Sequence, residues 1–342
     1  MNVELKHTNC KIIAEIGLAH EGSLGLAFKF IEAAKRSGAD MVKFQCHIPE
    51  FESSISEKFR IEFSPQDKTR WEYWNRTAFT LSEWQLIVNK CNLESIDFCV
   101  SVFCVKAIEM MVEIGVKNLK LGSGDLNNLE LQDSLMNWNG NLFISTGMST
   151  YSEIDQAINA FKFQLGLGTL TVFQCTSKYP TPKDQVGLNV MKEIKKKWKV
   201  RVGLSDHSEG IDSSIAAICH GAEAIEKHVV FSLDMFGPDV TSSIIFDELK
   251  TLVKFRNNYN HLAKALDKDS QALQLANERK IFGRSLGFNR AFRSGEIVRI
   301  EDFCLRKPAG GLKWNDRHLF VGKKLNRDVN LGELIHLEYI DE

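Results

Sequence analysis

Short runs of strand-forming residues alternate with amphipathic helical patterns along most of this chain, and this alternation constrains its fold more than any other feature. The eight runs lie at residues 11–17, 41–47, 97–103, 118–125, 141–147, 171–177, 201–207 and 222–230. Between the first two runs, Leu26 and Phe30 share one helical face, and Gly38 predicts the end of that helix. Eight strand–helix units that finish near residue 266 predict an α/β fold, a (β/α)8 TIM barrel.

An open, doubly wound sheet is the alternative fold, and it would more often carry a glycine-rich turn after its first strand. The turn His20-Glu21-Gly22-Ser23 resembles such a turn only weakly. Polar residues favour the barrel, because they fall at or near the carboxyl ends of the predicted strands. They are Lys43, Gln45, Ser101, Lys120, Ser123, Asp125, Ser145, Thr146, Ser205, Asp206, His207 and His228. In a barrel these ends meet at one mouth, where barrel enzymes carry out their chemistry.

The character of the sequence changes after the last predicted strand–helix unit. We therefore predict a barrel domain at 1–266, a polar linker at 267–283 and a small β-rich domain at 284–342. A weak internal repeat lies in this last part. Its first copy contains Asn289-Arg290, Gly295-Glu296 and Glu301, and its second contains Asn326-Arg327, Gly332-Glu333 and Glu338 at the same spacing. The repeat predicts a domain with pseudo-two-fold character.

Residues 51–80 form a long connection between the second and third predicted strands. The segment is dense in aromatic residues, namely Phe59, Phe63, Trp71, Tyr73, Trp74 and Phe79. A flexible linker would not carry so many large apolar side chains, so we expect this segment to pack against a surface. The sequence leaves open whether it is a lid over the barrel or a contact between subunits.

Composition excludes several classes of protein. Lys and Arg number 43 against 44 Asp and Glu, so no net charge indicates a nucleic-acid partner or an anionic membrane. No signal-peptide core and no apolar stretch of membrane-spanning length is evident. The eight cysteines are scattered without a Cys-x-x-Cys pair, so we expect reduced thiols and a cytoplasmic protein.

Two histidines and two lysines are the main candidates for chemistry at the mouth. His207 and His228 end neighbouring predicted strands, where neutral imidazoles could hold a divalent metal or could be hydrogen-bonded core histidines. Lys43 and Lys120 would be costly in the mouth without anionic partners. With nearby serine hydroxyls they form a plausible cradle for phosphate and carboxylate groups, although structural ion pairs or a Schiff-base lysine are alternatives.

Carboxylates near the same mouth could transfer protons. They are Glu21, Asp125, Asp206, Glu226 and Asp239. Asp206 directly precedes His207, and we expect a structural role for it.

Several motifs resemble those of the sialic acid synthase family. They are AEIGLAHEGS (14–23), GADMVKFQCH (38–47), KLGSGDLNNL (120–129), ISTGMST (144–150), QCTSKYPTP (174–182), GLSDHSEG (203–210), IEKHVV (225–230) and GPD (237–239). They occur in the family's order along the barrel, and the last part of the chain resembles the antifreeze-like (SAF) domain that follows it. The resemblance implies condensation of phosphoenolpyruvate with an N-acetylmannosamine-type sugar, to give a sialic, legionaminic or pseudaminic type of nine-carbon acid.

The resemblance also assigns roles to individual positions. It implies that His207 and His228 are ligands to Mn²⁺ or Mg²⁺. It implies phosphoenolpyruvate contacts from Lys43, Ser101, Lys120, Ser123, Ser145 and Ser205, and sugar contacts from Gln45 and Tyr179. Glu21 and Asp239, which match sugar-facing positions, and Asp125 are the predicted catalytic carboxylates.

The resemblance implies a domain-swapped homodimer as well, in which a cation of the last domain reaches the partner's site. The usual family order is Lys-Arg-Pro, whereas this chain has Arg306-Lys307-Pro308, so both Arg306 and Lys307 are candidates for sugar binding. Three other functions remain as alternatives. They are another phosphoenolpyruvate-condensing sugar synthase, a Schiff-base barrel aldolase, and a non-catalytic sugar- or ice-binding protein.

Overall fold

The computed structural model describes residues 10–136, 138–164 and 169–341. Its internal contacts divide the chain into two compact units, with the boundary between Lys264 and Ala265. None of the helices within these residues combines the length and the apolar character that crossing a membrane requires.

The first unit is a closed barrel of parallel strands, which confirms the predicted fold. The strands are β1 (Lys11–Gly17), β2 (Met41–Cys46), β3 (Asp97–Val102), β4 (Asn118–Leu121), β5 (Asn141–Ser145), β6 (Leu170–Cys175), β7 (Arg201–Asp206) and β8 (Ala224–Val230). Each strand pairs with the next, and β1 also pairs with β8 to close the barrel. A short strand β9 (Ile244–Ile245) extends the edge of β8.

Six of the predicted runs extend one to four residues past the observed strand ends, and the fourth run does so most. The run 118–125 was expected to be extended throughout, but β4 ends at Leu121 and Ser123–Asp125 forms a 3₁₀ turn. The amide of Asp125 donates to the carbonyl of Gly122 at 3.1 Å, and this bond turns the chain across the mouth.

Helices surround the barrel and connect its strands. They are α1 (Leu24–Ser37), α2 (Pro49–Glu52), α3 (Arg70–Thr77), α4 (Leu81–Glu94), α5 (Val105–Glu113), α6 (Leu129–Ser134), α7 (Tyr151–Gln164), α8 (Leu188–Trp198), α9 (Asp212–Cys219) and α10 (Phe246–Leu262). The predicted end of α1 is confirmed, because Gly38 has φ of 85° and its amide bonds the carbonyls of Ala34 and Lys35. Phe30 of α1 is fully buried between the helices and the strands.

Two inward-facing layers fill the barrel, because side chains two positions apart on a strand point to the same side of the sheet. The apolar layer consists of Ile13, Met41, Cys99, Phe143, Phe173 and Ala224. Two residues further along the same strands lie Glu15, Lys43, Ser101, Ser145, Cys175 and Glu226. The interior is therefore an apolar core toward the amino ends of the strands and a polar site toward their carboxyl ends.

The second unit has its own apolar core. It contains α11 (Lys268–Gln274) and α12 (Ala276–Phe282), so the residues predicted as a linker are helical here, followed by β10 (Ser285–Phe288) paired with β11 (Phe303–Arg306). Its core consists of Leu286, Phe288, Phe292, Val298, Phe303, Phe320, Leu325, Val329, Ile335 and Tyr339.

The predicted internal repeat of the second unit is confirmed by equivalent contacts. Phe292 and Val329 exchange two backbone hydrogen bonds, at 2.8 and 2.9 Å, across the pseudo-two-fold axis. The Asn289 side chain donates to the carbonyl of Glu301 at 2.6 Å, and Asn326 donates to that of Glu338 at 2.9 Å. The two halves of the unit therefore use the same residues for the same turns.

Candidate active site

Two lysines and two glutamates form a buried charge cluster just above the apolar layer. Lys43 Nζ lies 2.9 Å from Glu15 Oε2 and donates to Ser101 Oγ at 2.7 Å. Lys120 Nζ donates to Glu226 Oε1 at 2.6 Å. The structure therefore gives both lysines the ion pairs that the sequence left as an alternative, and it places these pairs in the barrel mouth.

Burial and attraction compete in setting the pKa values of this cluster. Burial alone would lower the pKa of Lys43, but the carboxylates of Glu15 and Glu226 outweigh it and raise that pKa to about 12. Burial alone would raise the pKa of Glu226, but Lys120 and Lys43 lower it to about 2. Burial raises the pKa of Glu15, and the neighbouring Lys43 opposes that rise. Lys43 is thus held as a cation at the mouth.

Serine hydroxyls contact these lysines or lie elsewhere in the mouth. Ser205 Oγ donates to Glu226 at 3.0 Å and lies 3.4 Å from Lys120 Nζ. Ser145 Oγ is buried and has no hydrogen-bond partner among the described residues. Ser123 Oγ accepts the Gly147 amide at 3.0 Å. Two of the predicted serines, Ser101 and Ser205, therefore contact the lysines, and Ser145 Oγ has no partner among the described residues.

Three aromatic rings lie together on the side of the mouth formed by β6, β7 and β8. The rings of His207 and His228 have centroids 5.7 Å apart, and Tyr179 stacks on His207 at 4.1 Å. Burial lowers the pKa of His207 to about 4, helped by His228, and burial lowers the pKa of His228 to about 4 as well. Both imidazoles are therefore neutral at pH 7.

The two neutral imidazoles are suitable ligands for a divalent metal. The carbonyl oxygen of Thr176 lies 3.0 Å from His207 Nδ1, so Nδ1 carries the hydrogen and Nε2 keeps its lone pair for a ligand. Among residues 10–136, 138–164 and 169–341, no group of three His, Cys, Asp or Glu side chains is arranged to hold a metal. Water or substrate oxygens would have to complete the coordination.

The 51–80 segment packs against the mouth of its own barrel, as expected of a lid. Tyr73 and Arg76 donate to the two oxygens of Glu21 at 2.8 and 2.9 Å. Arg60 Nη2 donates to Asp239 Oδ1 at 2.8 Å, and its guanidinium lies 3.9 Å from the ring centroid of Tyr179. The segment is thus a lid in contact with three of the predicted site residues.

The predicted carboxylates occupy three different settings. Burial raises the pKa of Glu21, although the hydrogen bonds from Tyr73 and Arg76 oppose the rise. Burial also raises the pKa of Asp125, which accepts a hydrogen bond from Asn128 at 3.4 Å. Asp239 pairs with the lid. Raised pKa values suit proton transfer, so Glu21 and Asp125 have the environments expected of acid–base groups.

Asp206 has the structural role that we expected. It accepts hydrogen bonds from the amide and hydroxyl of Ser208 and from the hydroxyl of Ser214, at 2.6 to 2.9 Å. Nζ of the fully buried Lys227 lies 3.4 Å from Asp206 Oδ2. These contacts brace the loop after β7 behind His207.

Arg306 and Lys307, the other predicted sugar ligands, lie in the second unit. Arg306 donates from Nε and Nη2 to the carbonyl of Phe288 at 3.1 and 3.0 Å. Lys307 Nζ lies 5.2 Å from the ring centroid of Phe282. Within its own unit, Arg306 is thus committed to the backbone.

Sequence reasoning missed three residues that the structure places in or beside the mouth, and it gave Glu226 a different role. Glu15 and Glu226 hold the lysines, whereas Glu226 was considered only as a proton donor or acceptor. Arg60 covers Tyr179, and His47 contacts Gln45 (Nε2 to Oε1, 3.2 Å). Glu15 and Glu226 lie two positions after the buried Ile13 and Ala224, so strand alternation could have shown that they point inward. No sequence signal identifies the partner of Arg60.

Comparisons with known proteins show which family this chain resembles. The family model described as NeuB family matches residues 30–268. An N,N'-diacetyllegionaminic acid synthase of Campylobacter jejuni is 32% identical over 334 residues, which cover 95% of this chain and 98% of that protein. A pseudaminic acid synthase of Campylobacter jejuni is 31% identical over 329 residues, covering 95% of this chain and 94% of that protein.

A solved structure is similar in fold as well as in sequence. It is the crystal structure of N-acetylneuraminic acid (sialic acid) synthetase from Leptospira borgpetersenii serovar Hardjo-bovis in complex with citrate. The TM-score is 0.69 and the identity is 26%, with 81% of this chain and 95% of that chain covered.

Proposed function

This chain belongs to the NeuB family, and we propose that it condenses phosphoenolpyruvate with an N-acetylmannosamine-type hexose to give a nine-carbon 2-keto-3-deoxy sugar acid and phosphate. The observation that carries this proposal is the buried cluster of Lys43 and Lys120 with serine hydroxyls at the barrel mouth. Cationic and hydroxyl donors of this kind suit a small ligand that bears both a phosphate and a carboxylate. The relatives named above are synthases of such sugar acids.

The sugar would bind between this cluster and the lid. Gln45, Tyr179 and Asp239 line that side of the mouth, and they offer an amide, a hydroxyl and a carboxylate to hydroxyl and acetamido groups. The acyl pattern of the sugar stays open among 2-acetamido and 2,4-diacetamido hexoses.

We extend the proposal to a metal, Mn²⁺ or Mg²⁺, held by His207 and His228. When bound, the metal would polarise the aldehyde oxygen of the open-chain sugar. The two imidazoles are neutral, as metal ligands must be, and this supports the assignment.

The reaction itself forms one carbon–carbon bond. C3 of phosphoenolpyruvate attacks C1 of the aldehyde, and water adds at C2. The bond between C2 and the bridging phosphate oxygen then breaks, so that phosphate leaves and the C2 ketone forms. Lys43 and Lys120 would hold the negative charge of phosphoenolpyruvate and of the departing phosphate. Glu21 and Asp125, whose pKa values are raised by burial, would exchange protons with the attacking water and the aldehyde oxygen.

A substrate screen tests the function directly. The protein is incubated with phosphoenolpyruvate, Mn²⁺ or Mg²⁺, and a panel of 2-acetamido and 2,4-diacetamido hexoses, including 6-phosphorylated ones. Phosphate release and product mass are measured together. We expect one class of sugar to give stoichiometric phosphate and a nine-carbon acid. Borohydride trapping of a lysine adduct with a keto substrate would instead indicate a Schiff-base aldolase.

We also propose that the second unit is an antifreeze-like (SAF) domain and that the enzyme works as a homodimer. The family resemblance of residues 284–342 supports this assignment, and the cationic pair Arg306-Lys307 supplies candidate sugar ligands. In such a dimer the pair would act in the partner's site.

A further inference from the structure

His47 is a buried histidine beside the mouth that the proposed reaction does not use. It directly follows β2, and its ring lies between the rings of Trp74 and Phe103, with centroids 4.5 and 4.1 Å away and interplanar angles of 11° and 8°. Trp74 belongs to the lid helix α3, and Arg70 covers its ring at 4.4 Å. The imidazole is therefore fixed in position and orientation by two parallel rings.

Both ring nitrogens of His47 face hydrogen-bond acceptors. Nδ1 lies 2.7 Å from Glu52 Oε1, and Nε2 lies 3.2 Å from Gln45 Oε1. The amide of Gln45 is oriented by its other end, because Nε2 of Gln45 donates to Glu15 Oε1 at 2.8 Å. In this orientation Gln45 presents its Oε1 to His47, and because that oxygen can only accept, the hydrogen of the contact is on His47 Nε2.

These bonds form one directed chain that ends in the charge cluster. His47 donates to Gln45, Gln45 donates to Glu15, and Glu15 pairs with Lys43 at 2.9 Å. We propose that His47 is a positioning residue, whose Nε2–H fixes the Gln45 side chain in the orientation that binds the amino sugar. This inference rests on the proposed function for the part that concerns the sugar. Without the Nε2–H, the Gln45 amide keeps its hydrogen bond to Glu15 but its oxygen loses its donor.

Two substitutions separate the hydrogen bond from the aromatic stacking. His47→Phe keeps a ring between Trp74 and Phe103 but removes the donor. His47→Gln loses the ring but places an amide N–H near the position of Nε2. We expect kcat/KM for the amino sugar to fall about ten- to a hundredfold in His47→Phe and to recover to within about threefold of wild type in His47→Gln. The KM for phosphoenolpyruvate should change less than about threefold in both, because Lys43 keeps its pair with Glu15.

The opposite order would overturn the proposal. If stacking is the only role of His47, His47→Phe is fully active and His47→Gln is impaired. A double-mutant cycle with Gln45→Ala adds a second criterion. Because His47 acts through Gln45, His47→Phe should cause no further loss in the Gln45→Ala background, and additive losses would contradict this.

Structures of the variants test the inference without turnover. In His47→Phe the Gln45 oxygen should leave its wild-type position, and in His47→Gln it should stay there, within hydrogen-bond distance of residue 47. If Gln45 stays in place in His47→Phe, the inference is wrong, even if the wild type is active. If the wild type turns over none of the sugars, the proposed function fails, while the displacement of Gln45 still decides the role of His47. Should His47→Phe not fold because Glu52 is left buried, the variant His47→Phe with Glu52→Leu replaces it.

Discussion

Lys120 donates a 2.6 Å hydrogen bond to Glu226 inside the barrel, where each side chain is no more than 5% exposed. The same carboxylate oxygen lies 3.8 Å from Lys43 Nζ, so Glu226 neutralises charge from both lysines. Its position follows from strand pairing, because Glu226 of β8 lies in register with Ser205 of β7. The lysine pair of the mouth thus has buried carboxylate partners before any anionic substrate arrives.

Replacing Glu226 by Gln should destabilise the barrel strongly. The change keeps the shape of the side chain but leaves Lys120 without its closest carboxylate. Breaking a buried ion pair in this way costs about 3–5 kcal/mol. The free energy of unfolding, measured in urea at pH 7, should fall by that amount. Asp212→Asn is the control, because it breaks the exposed pair with Lys183 and should leave the midpoint unchanged. Equal midpoints for Glu226→Gln and wild type would refute this interpretation.

Removing His207 should weaken metal binding. Because His207 Nε2 is the lone-pair nitrogen at the mouth, His207→Ala loses one of the two proposed protein ligands, and the affinity for Mn²⁺ should fall at least about tenfold. Titration calorimetry of the metal-free protein measures this directly. The exposed His220 is the matched control, and His220→Ala should bind Mn²⁺ like wild type. Full turnover after exhaustive chelation would exclude a metal-assisted reaction.

Arg60 should contribute to the use of the sugar and not to that of phosphoenolpyruvate. It bonds Asp239 and covers the Tyr179 ring, which in turn stacks on His207. Arg60→Ala removes both contacts and should lower kcat/KM for the amino sugar by about tenfold or more. Arg60→Lys should restore only part of this loss, because an ammonium lacks the planar stacking surface.

The control for Arg60 is Arg36→Ala, which removes an exposed cation of α1. It should leave both kinetic constants unchanged. If Arg60→Ala raises the KM for phosphoenolpyruvate and leaves that for the sugar unchanged, Arg60 does not contribute to sugar binding and the prediction is wrong.

The stability of the protein should decrease in acid partly because of His20. Burial lowers the pKa of His20 from 6.5 to about 3 in the folded protein. Above pH 6.5 the histidine is neutral in both states, so its contribution is fully present. As the pH falls from 6.5 toward 3, only the unfolded chain takes up the proton, and folding loses about 1.4 kcal/mol per pH unit from this group.

His20→Phe should therefore flatten the pH dependence of the free energy of unfolding. The phenyl ring can keep the stacking on Phe79, whose centroid lies 4.5 Å from that of His20. At pH 8 the variant should be less stable, because the amide of Gly22 loses its acceptor Nδ1. Urea titrations between pH 5 and 8 would show the difference in slope. Parallel curves for the two proteins would mean that His20 does not titrate as inferred.

The proposed dimer predicts complementation between inactive variants. One variant carries His207→Ala, and the other carries Arg306→Ala with Lys307→Ala. If the second unit acts in the partner's site, a mixed dimer regains one working site and the activity of the mixture rises. Subunit exchange is checked with two different affinity tags. A mixture that exchanges subunits and stays inactive would mean that Arg306 and Lys307 do not act across the dimer.

The fold and much of the site were predictable from local patterns. Period-two alternation in the strands places Lys43 two residues after the buried Met41, and Ser101 two residues after Cys99, so both point inward. Helix ends such as Gly38 have a conformational signature of their own. The internal repeat of the second unit was also predictable from the sequence, because the Asn side chain of each copy bonds a carbonyl of the same copy.

The partners of these residues were decided by the tertiary structure. Glu15 meets Lys43 because β1 pairs with β2 in that register, and it lies beside His228 because β1 also closes against β8. Arg60 reaches Asp239 across 179 positions of sequence through the folding of the lid. Local spacing fixes which way a side chain points, since it depends on the backbone of one strand. Ion pairs and pKa values depend on distances between strands far apart in sequence, and only the closed, packed barrel sets those distances.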